Sequence, residues 1–123
     1  MQKEELKLRT KIFAIQVFKF INTLEKNKST DVISYQILKS SSSIAANYRA
    51  ACRAKSKADF LNKLKIVDEE VDETFFWLGF IDDLEISCNK SELNIHLIEA
   101  NELVSIFSAS IKTIKLNNSS GIQ

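Results

Sequence analysis

The chain has 123 residues, 45 % of them hydrophobic and 27 % charged, with a formal net charge of +1. That length and balance suit one globular domain with a real core and exclude a disordered or fibrous chain. Proline is absent and glycine occurs only at 79 and 121, so the turn-rich connections of a strand-based fold are missing and an all-helical domain is expected.

The opening MQKEELKLRTK alternates charges, carries no signal-peptide core and leads into a first amphipathic segment. There Leu6, Thr10, Phe13, Val17, Phe20 and Leu24 step by four and three, the seam of a helix packed lengthwise on others. A second apolar set, Leu8, Ile12, Ile15, Phe18 and Ile21, lies beyond that seam. Asn27-Lys28-Ser29-Thr30 interrupts the pattern, with Ser29 or Thr30 as a cap for the next helix. In the second segment Ile33, Ile37, Ser40, Ile44, Asn47 and Ala51 hold the register with small or polar residues at its centre. Antiparallel pairing sets Ser40–Ser43 near Asp68, Glu69, Glu70 and Asp72, where hydroxyl–carboxylate bonds would satisfy groups costly to bury alone. Serines facing water are the other reading.

Ser56 with Asp59 reads as a capping box opening a third helix, whose seam runs Phe60, Leu64, Val67, Val71, Thr74, Leu78 and Ile81. Lys65 and Glu69 sit four apart on it, a pairing worth a few tenths of a kcal/mol. Around that seam FFWLGFI, residues 75–81, is apolar nearly all round. Gly79 costs about 1 kcal/mol against Ala there, an expense that close approach of another helix would offset. Asn89 with Glu92 opens a fourth helix, with seam Leu93, Leu97, Ala100, Val104, Phe107, Ile111 and Ile114. The predicted architecture is all-α: one antiparallel up-down-up-down four-helix bundle over 1–123, with helices near 3–27, 30–54, 57–86 and 90–117 and a flexible tail at 118–123.

No apolar run reaches the ~20 residues of a membrane span, so the expectation is a cytoplasmic protein without membrane contact. Cys52 and Cys88 are too few for a disulfide framework and read as buried free thiols. A di-metal bundle site needs Glu-x-x-His on two helices; the one histidine is His96 and position 93 is Leu. No phosphate loop and no nucleophile–base set is visible, so no enzyme activity, cofactor, metal or small-molecule substrate is expected.

Two features point to partners. The surplus apolar surface at Ile12, Ile15, Phe18, Phe75, Phe76, Trp77 and Phe80 points to self-association. The charge is split: residues 1–65 hold 14 basic and 5 acidic side chains, residues 66–123 hold 3 and 11. Bundle topology gathers twelve of the basic groups, among them Lys3, Lys7, Arg9, Arg49, Lys112 and Lys115, at one end with Glu4, Glu5 and Asp59. That end can bind phosphates, can meet the acidic region of a neighbouring copy, or can serve solubility alone. For nucleic acid the strongest candidates are Arg49, Arg53, Lys55, Lys57 and Lys63, clustered near the turn between helices 2 and 3.

The stretch SSSIAANYRAACRAKSKADFLNKLKIVDEEVDETFFWL, residues 41–78, resembles the signature of small four-helix-bundle proteins encoded in intervening sequences of bacterial 23S ribosomal RNA genes. RTKIFAIQVFKF (9–20) resembles their first helix, and EANELVSIFSASIKT (99–113) their last. The resemblance implies a homopentameric ring. It also implies kinship with the accessory proteins of diversity-generating retroelements, which partner a reverse transcriptase and nucleic acid. Relatives often carry Glu where this chain has Ala50. Two functions follow as expectations: RNA or DNA binding through the basic end, or a ring-shaped scaffold that holds a partner polypeptide without touching nucleic acid.

Overall fold

The computed structural model describes residues 1–120. Four helices follow one another: α1 (Lys3–Ile21), α2 (Lys28–Ala51), α3 (Lys57–Asp83) and α4 (Lys90–Ser120). Each packs on its neighbour in the chain, and α1 closes on α4 only sparsely. Cross-helix pairs run antiparallel: Ser40 meets Thr74, Asp68 meets Ser108, and Asp82 meets Lys90.

The helix ends explain where the predicted boundaries move. Asn27, not Ser29 or Thr30, caps α2: its backbone is extended (φ −157°) and its side chain accepts from the Thr30 N–H at 2.9 Å. α1 stops at Ile21, where Thr23 and Leu24 tighten the turn through bonds to the carbonyls of Phe20 and Ile21, short of the predicted 27. Ser56 caps α3 by accepting from the Asp59 N–H, while the Asp59 carboxylate reaches back to the Lys55 N–H and not to that of Ser56. Asn89 accepts from the Glu92 N–H, as the spacing predicts. At the end of α3, Glu85 takes φ 55°, and the N–H of Ile86 returns to Ile81 while that of Glu85 returns to Asp82. This is the Schellman closure, with Glu in the left-handed position that Gly fills more easily. α4 continues through Ser120 where a tail from 118 was expected; positions 121–123 of that tail lie outside the described residues.

All six seam residues predicted for α1 are buried, as are Leu64 through Ile81 on α3. On α2 the aromatic Tyr48 enters the core and Asn47 is left half-buried. On α4 the buried face turns toward α1: His96 and Leu103 are buried, while Leu97, Val104 and Ile114 are only partly so. Ile21, predicted with the surplus set, belongs to the core. Cys52 and Cys88 are free but half-buried rather than enclosed.

The serines of α2 do not meet the acidic run. Ser40 is buried and accepts from the Thr74 hydroxyl at 2.7 Å; Ser42 bonds to carbonyls of its own helix. Asp68 instead accepts from Ser108 of α4 at 3.3 Å. Thr74, a seam position of α3, supplies with its hydroxyl the partner expected of a carboxylate.

Gly79 also departs from expectation. A Cβ built there meets nothing within 4 Å, so no helix of this chain crowds it. Gly79→Ala should therefore raise stability by up to about 1 kcal/mol through helix propensity alone, read as a higher denaturant midpoint with an unchanged slope. A lower midpoint would show that the position is crowded by something outside the single chain.

Candidate nucleic-acid interface

The turn between α2 and α3 is short and tight. Arg53 and Ala54 close back on the carbonyls of Ala50 and Ala51, and Ser56 starts the next helix. Arg49 stands in the last turn of α2, Arg53 and Lys55 lie in the connection beyond it, and Asp59 and Lys63 stand one turn apart on α3. These five, with the small side chains of Ala46 and Ala50 as floor, line one open hollow of about 380 Å³. Four of the five residues predicted for phosphate contact are thus brought together.

Asp59 organises the hollow. Its carboxylate accepts from Lys63 Nζ at 2.6 Å and from the Lys55 N–H at 3.1 Å. The bond to Lys63, and then the one to Lys55, holds it below the usual carboxylate range. Lys63 is therefore engaged within the chain. Arg49, Arg53 and Lys55 take part in none of the ion pairs among the described residues, and all three are exposed. They remain available to an external anion.

The fifth candidate, Lys57, faces a second hollow of about 390 Å³ beside the first, lined also by Lys3, Lys55, Phe60 and Asn117. Lys3 lies over the Phe60 ring, 4.7 Å from its centroid. Lys55 borders both hollows, so the basic surface is continuous across the turn. Asn117 and Asn118 were not singled out from sequence. The antiparallel register that sets the last turns of α4 beside the start of α1 is the signal that could have found them.

The expected charge split along the rod is weaker than the sum over residues. Arg9, counted at the basic end, donates to Glu99 through Nε and Nη2 and to Glu102 through Nη2, each at 2.7 Å. Its guanidinium is held in the charged form chiefly by the bond to Glu99. Lys7 pairs with Glu4. Among the cations outside these ion pairs, Arg49, Arg53, Lys55 and Lys57 lie close together at the α2–α3 turn, while others such as Lys11, Lys19, Lys26, Lys28 and Lys39 are spread along the bundle.

The oligomer candidates divide. Ile12, Ile15, Phe18 and Phe76 are exposed, Phe76 most at 57 %. Phe75, Trp77 and Phe80 are partly buried against the core. Phe76 stacks on Phe80 at 5.8 Å and meets Trp77 edge-on at 5.0 Å, forming one aromatic ridge. Ile12 lines a larger groove of about 770 Å³ between α1 and α4, with His96 beneath.

His96 is buried, packed 5.3 Å from the Phe20 ring, and its Nε2 has no hydrogen-bond partner. Burial pulls its pKa below the ordinary value, and nearby Glu92 opposes this in part. The unfolded chain therefore binds more protons, so stability should fall as pH drops through the ordinary histidine value near 6.5. Asp68 and Glu70 are raised by burial and contribute the opposite sign, in the more acidic carboxylate range. Between pH 7.5 and 6 the melting temperature should fall by a few degrees, and His96→Gln should flatten that slope. An identical slope in the variant would remove His96 as its source.

A bundle of four sequential antiparallel helices, with an exposed basic turn and no membrane-length apolar helix among the described residues, is the class of protein the structure defines. The chain belongs to the 23S rRNA-intervening sequence protein family, whose profile matches residues 4–109. It is similar to a crystal structure from Bacteroides thetaiotaomicron of a protein with unknown function from the S23 ribosomal protein family. The two share 32 % identity and a TM-score of 0.78, over 91 % of this chain and 99 % of that one. No functionally curated protein matches the sequence.

Proposed function

We propose that this chain is a non-enzymatic, cytoplasmic, homo-oligomeric bundle that binds RNA or DNA phosphates through the α2–α3 turn. The observation that carries the reading is the hollow in which Arg49, Arg53 and Lys55 stand exposed and unpaired around Asp59–Lys63. Three exposed cations gathered around one hollow can each meet a phosphate, and contacts of this kind position a nucleic acid without reading its bases.

Assembly is supported by a second observation. On the outer face of α1, Ile15 and Phe18 lie beside Lys11 and Lys19; on the outer face of α3, Phe76 and Phe80 lie beside Glu69, Asp72, Glu73 and Asp83. α1 and α3 sit diagonally across the bundle, since neither packs directly on the other. A basic-edged apolar face and an acidic-edged aromatic face on opposite sides favour a head-to-tail contact that closes into a ring. The family resemblance favours five copies. The aromatic ridge also keeps the scaffold reading open, in which the ring holds a partner polypeptide and the basic turn serves solubility.

Titration of a structured RNA and a DNA duplex at 50 and 200 mM salt tests the first reading. With about three phosphates contacted, affinity should fall roughly forty-fold between the two conditions. Affinity indifferent to salt would favour the scaffold. Light scattering over a dilution series tests assembly; a monomer at micromolar concentration would remove the ring.

A further inference from the structure

A hollow larger than the two at the basic turn lies elsewhere. It is the groove between α1 and α4, about 770 Å³, walled by Leu8 and Ile12 on one side and Ile95 and Ile98 on the other. These four side chains are 48–63 % exposed. The groove exists because bulky groups hold the two helices apart: the Phe20 and His96 rings meet between them, and Arg9 spans to Glu99 and Glu102. From Glu5 to Gln16 its α1 wall runs about 16 Å, the length of three helical turns. Two apolar ridges flanking an open trough of that length form the receptor side of helix-in-groove recognition.

We propose that this groove binds a short amphipathic helix of a different polypeptide, apolar on the side laid into the trough and basic along its edges. The charge of the rim selects that occupant. Glu5, Glu92 and Glu99 line the groove and Glu102 adjoins it, against the single guanidinium of Arg9. A nucleic acid is repelled there. A second copy presenting its aromatic ridge at Phe76 is disfavoured, because that ridge is itself edged by Glu69, Asp72, Glu73 and Asp83. Docking that ridge into this rim would set like charges together.

The base of the groove carries an independent mark. His96 is 5 % exposed, and its Nε2 lies 3.9 Å from a Glu92 carboxylate oxygen with no hydrogen-bond partner. A buried polar atom left unpaired is costly. A Lys or Arg seated over Glu92 would neutralise the carboxylate that faces this imidazole. The site proposed here is distinct from the basic turn and does not depend on nucleic-acid binding.

The probe is a fluorescent, helix-stapled 14-residue peptide with Leu at i, i+3, i+7 and i+10 and Lys on both flanks, titrated against the full chain by anisotropy. A counterpart with Glu in place of Lys is the comparison. The basic peptide should bind at least tenfold more tightly than the acidic one, and Ile95→Asp should weaken it at least tenfold while circular dichroism and light scattering stay unchanged. Glu92→Gln, which leaves the apolar walls intact, should weaken the basic peptide and not the acidic one. Equal binding of both peptides, or none, overturns the proposal. So does loss of the oligomer in Ile95→Asp, which would assign the groove to a second copy.

Discussion

Reversing three charges at the α2–α3 turn, Arg49→Glu/Arg53→Glu/Lys55→Glu, should reduce RNA affinity at 50 mM salt by at least about a hundredfold and flatten what salt dependence remains. The three cations are exposed and unpaired within the chain, so the fold loses no ion pair when they change. Each phosphate neutralised by Lys or Arg releases condensed counterions, and that release is the salt-dependent part of the affinity. Reversal removes the contacts and adds repulsion. Lys63 is left out of the variant because its charge is already spent on Asp59 at 2.6 Å; a further Lys63→Glu would disturb the start of α3 as well. Lys26→Glu/Lys28→Glu, at the opposite end of the rod, is the matched control and should leave affinity within about threefold. A triple variant that binds as well as wild type would end the nucleic-acid reading of this turn.

The largest effect on stability is expected at Phe107→Ala. Phe107 is fully buried, and its ring meets Tyr48 at 5.5 Å with a 56° tilt. Tyr48 is itself enclosed, and burial drives its phenol pKa upward. The pair joins α4 to the basic half of α2, below the turn that carries the candidate cations. Truncating a buried Phe costs about 3–5 kcal/mol, part lost transfer energy and part residual cavity. Against the ~5–15 kcal/mol of a whole domain, that is a large share. The denaturant midpoint should drop accordingly with little change in slope, measured at one fixed chain concentration because assembly stabilises by mass action. A loss below about 1 kcal/mol would mean that the Tyr48–Phe107 contact is not part of the core.

Much of this architecture can be read from periodicity. The four-three spacing of α1 and α3 identified their buried faces almost residue for residue, because a lengthwise-packed helix must keep one stripe dry. On α4 the same rule found Leu93, Ala100, Phe107 and Ile111 but missed two positions between them. There the heptad points to Leu97 and Val104, whereas the wedge of Phe20 and Arg9 turns His96 and Leu103 inward. No local pattern encodes that rotation, which depends on side chains of a helix some eighty residues away. Ser40 shows a related limit. Its need for a partner was legible, but the choice of Thr74 over nearby carboxylates depends on helix rotation.

The candidate site was legible for a simpler reason. Arg49, Arg53, Lys55 and Lys63 lie close in sequence across one short turn, so chain connectivity alone brings them together. The involvement of Lys3 and Asn117 required the packing of both chain ends. The pairing of Arg9 with Glu99 and Glu102 was invisible to a charge count because it crosses between the basic and acidic halves. The α1–α4 groove was likewise out of reach, since a cavity is a property of spacing between helices rather than of either sequence.

Hydrogen–deuterium exchange of the full chain, with and without saturating structured RNA at low salt, tests the central claim most directly. The account predicts slowed exchange across residues 46–63, where α2 ends and α3 begins, with the α1–α4 groove unchanged. Protection centred on 5–16 and 92–99, or none anywhere under conditions where RNA is bound, would contradict it.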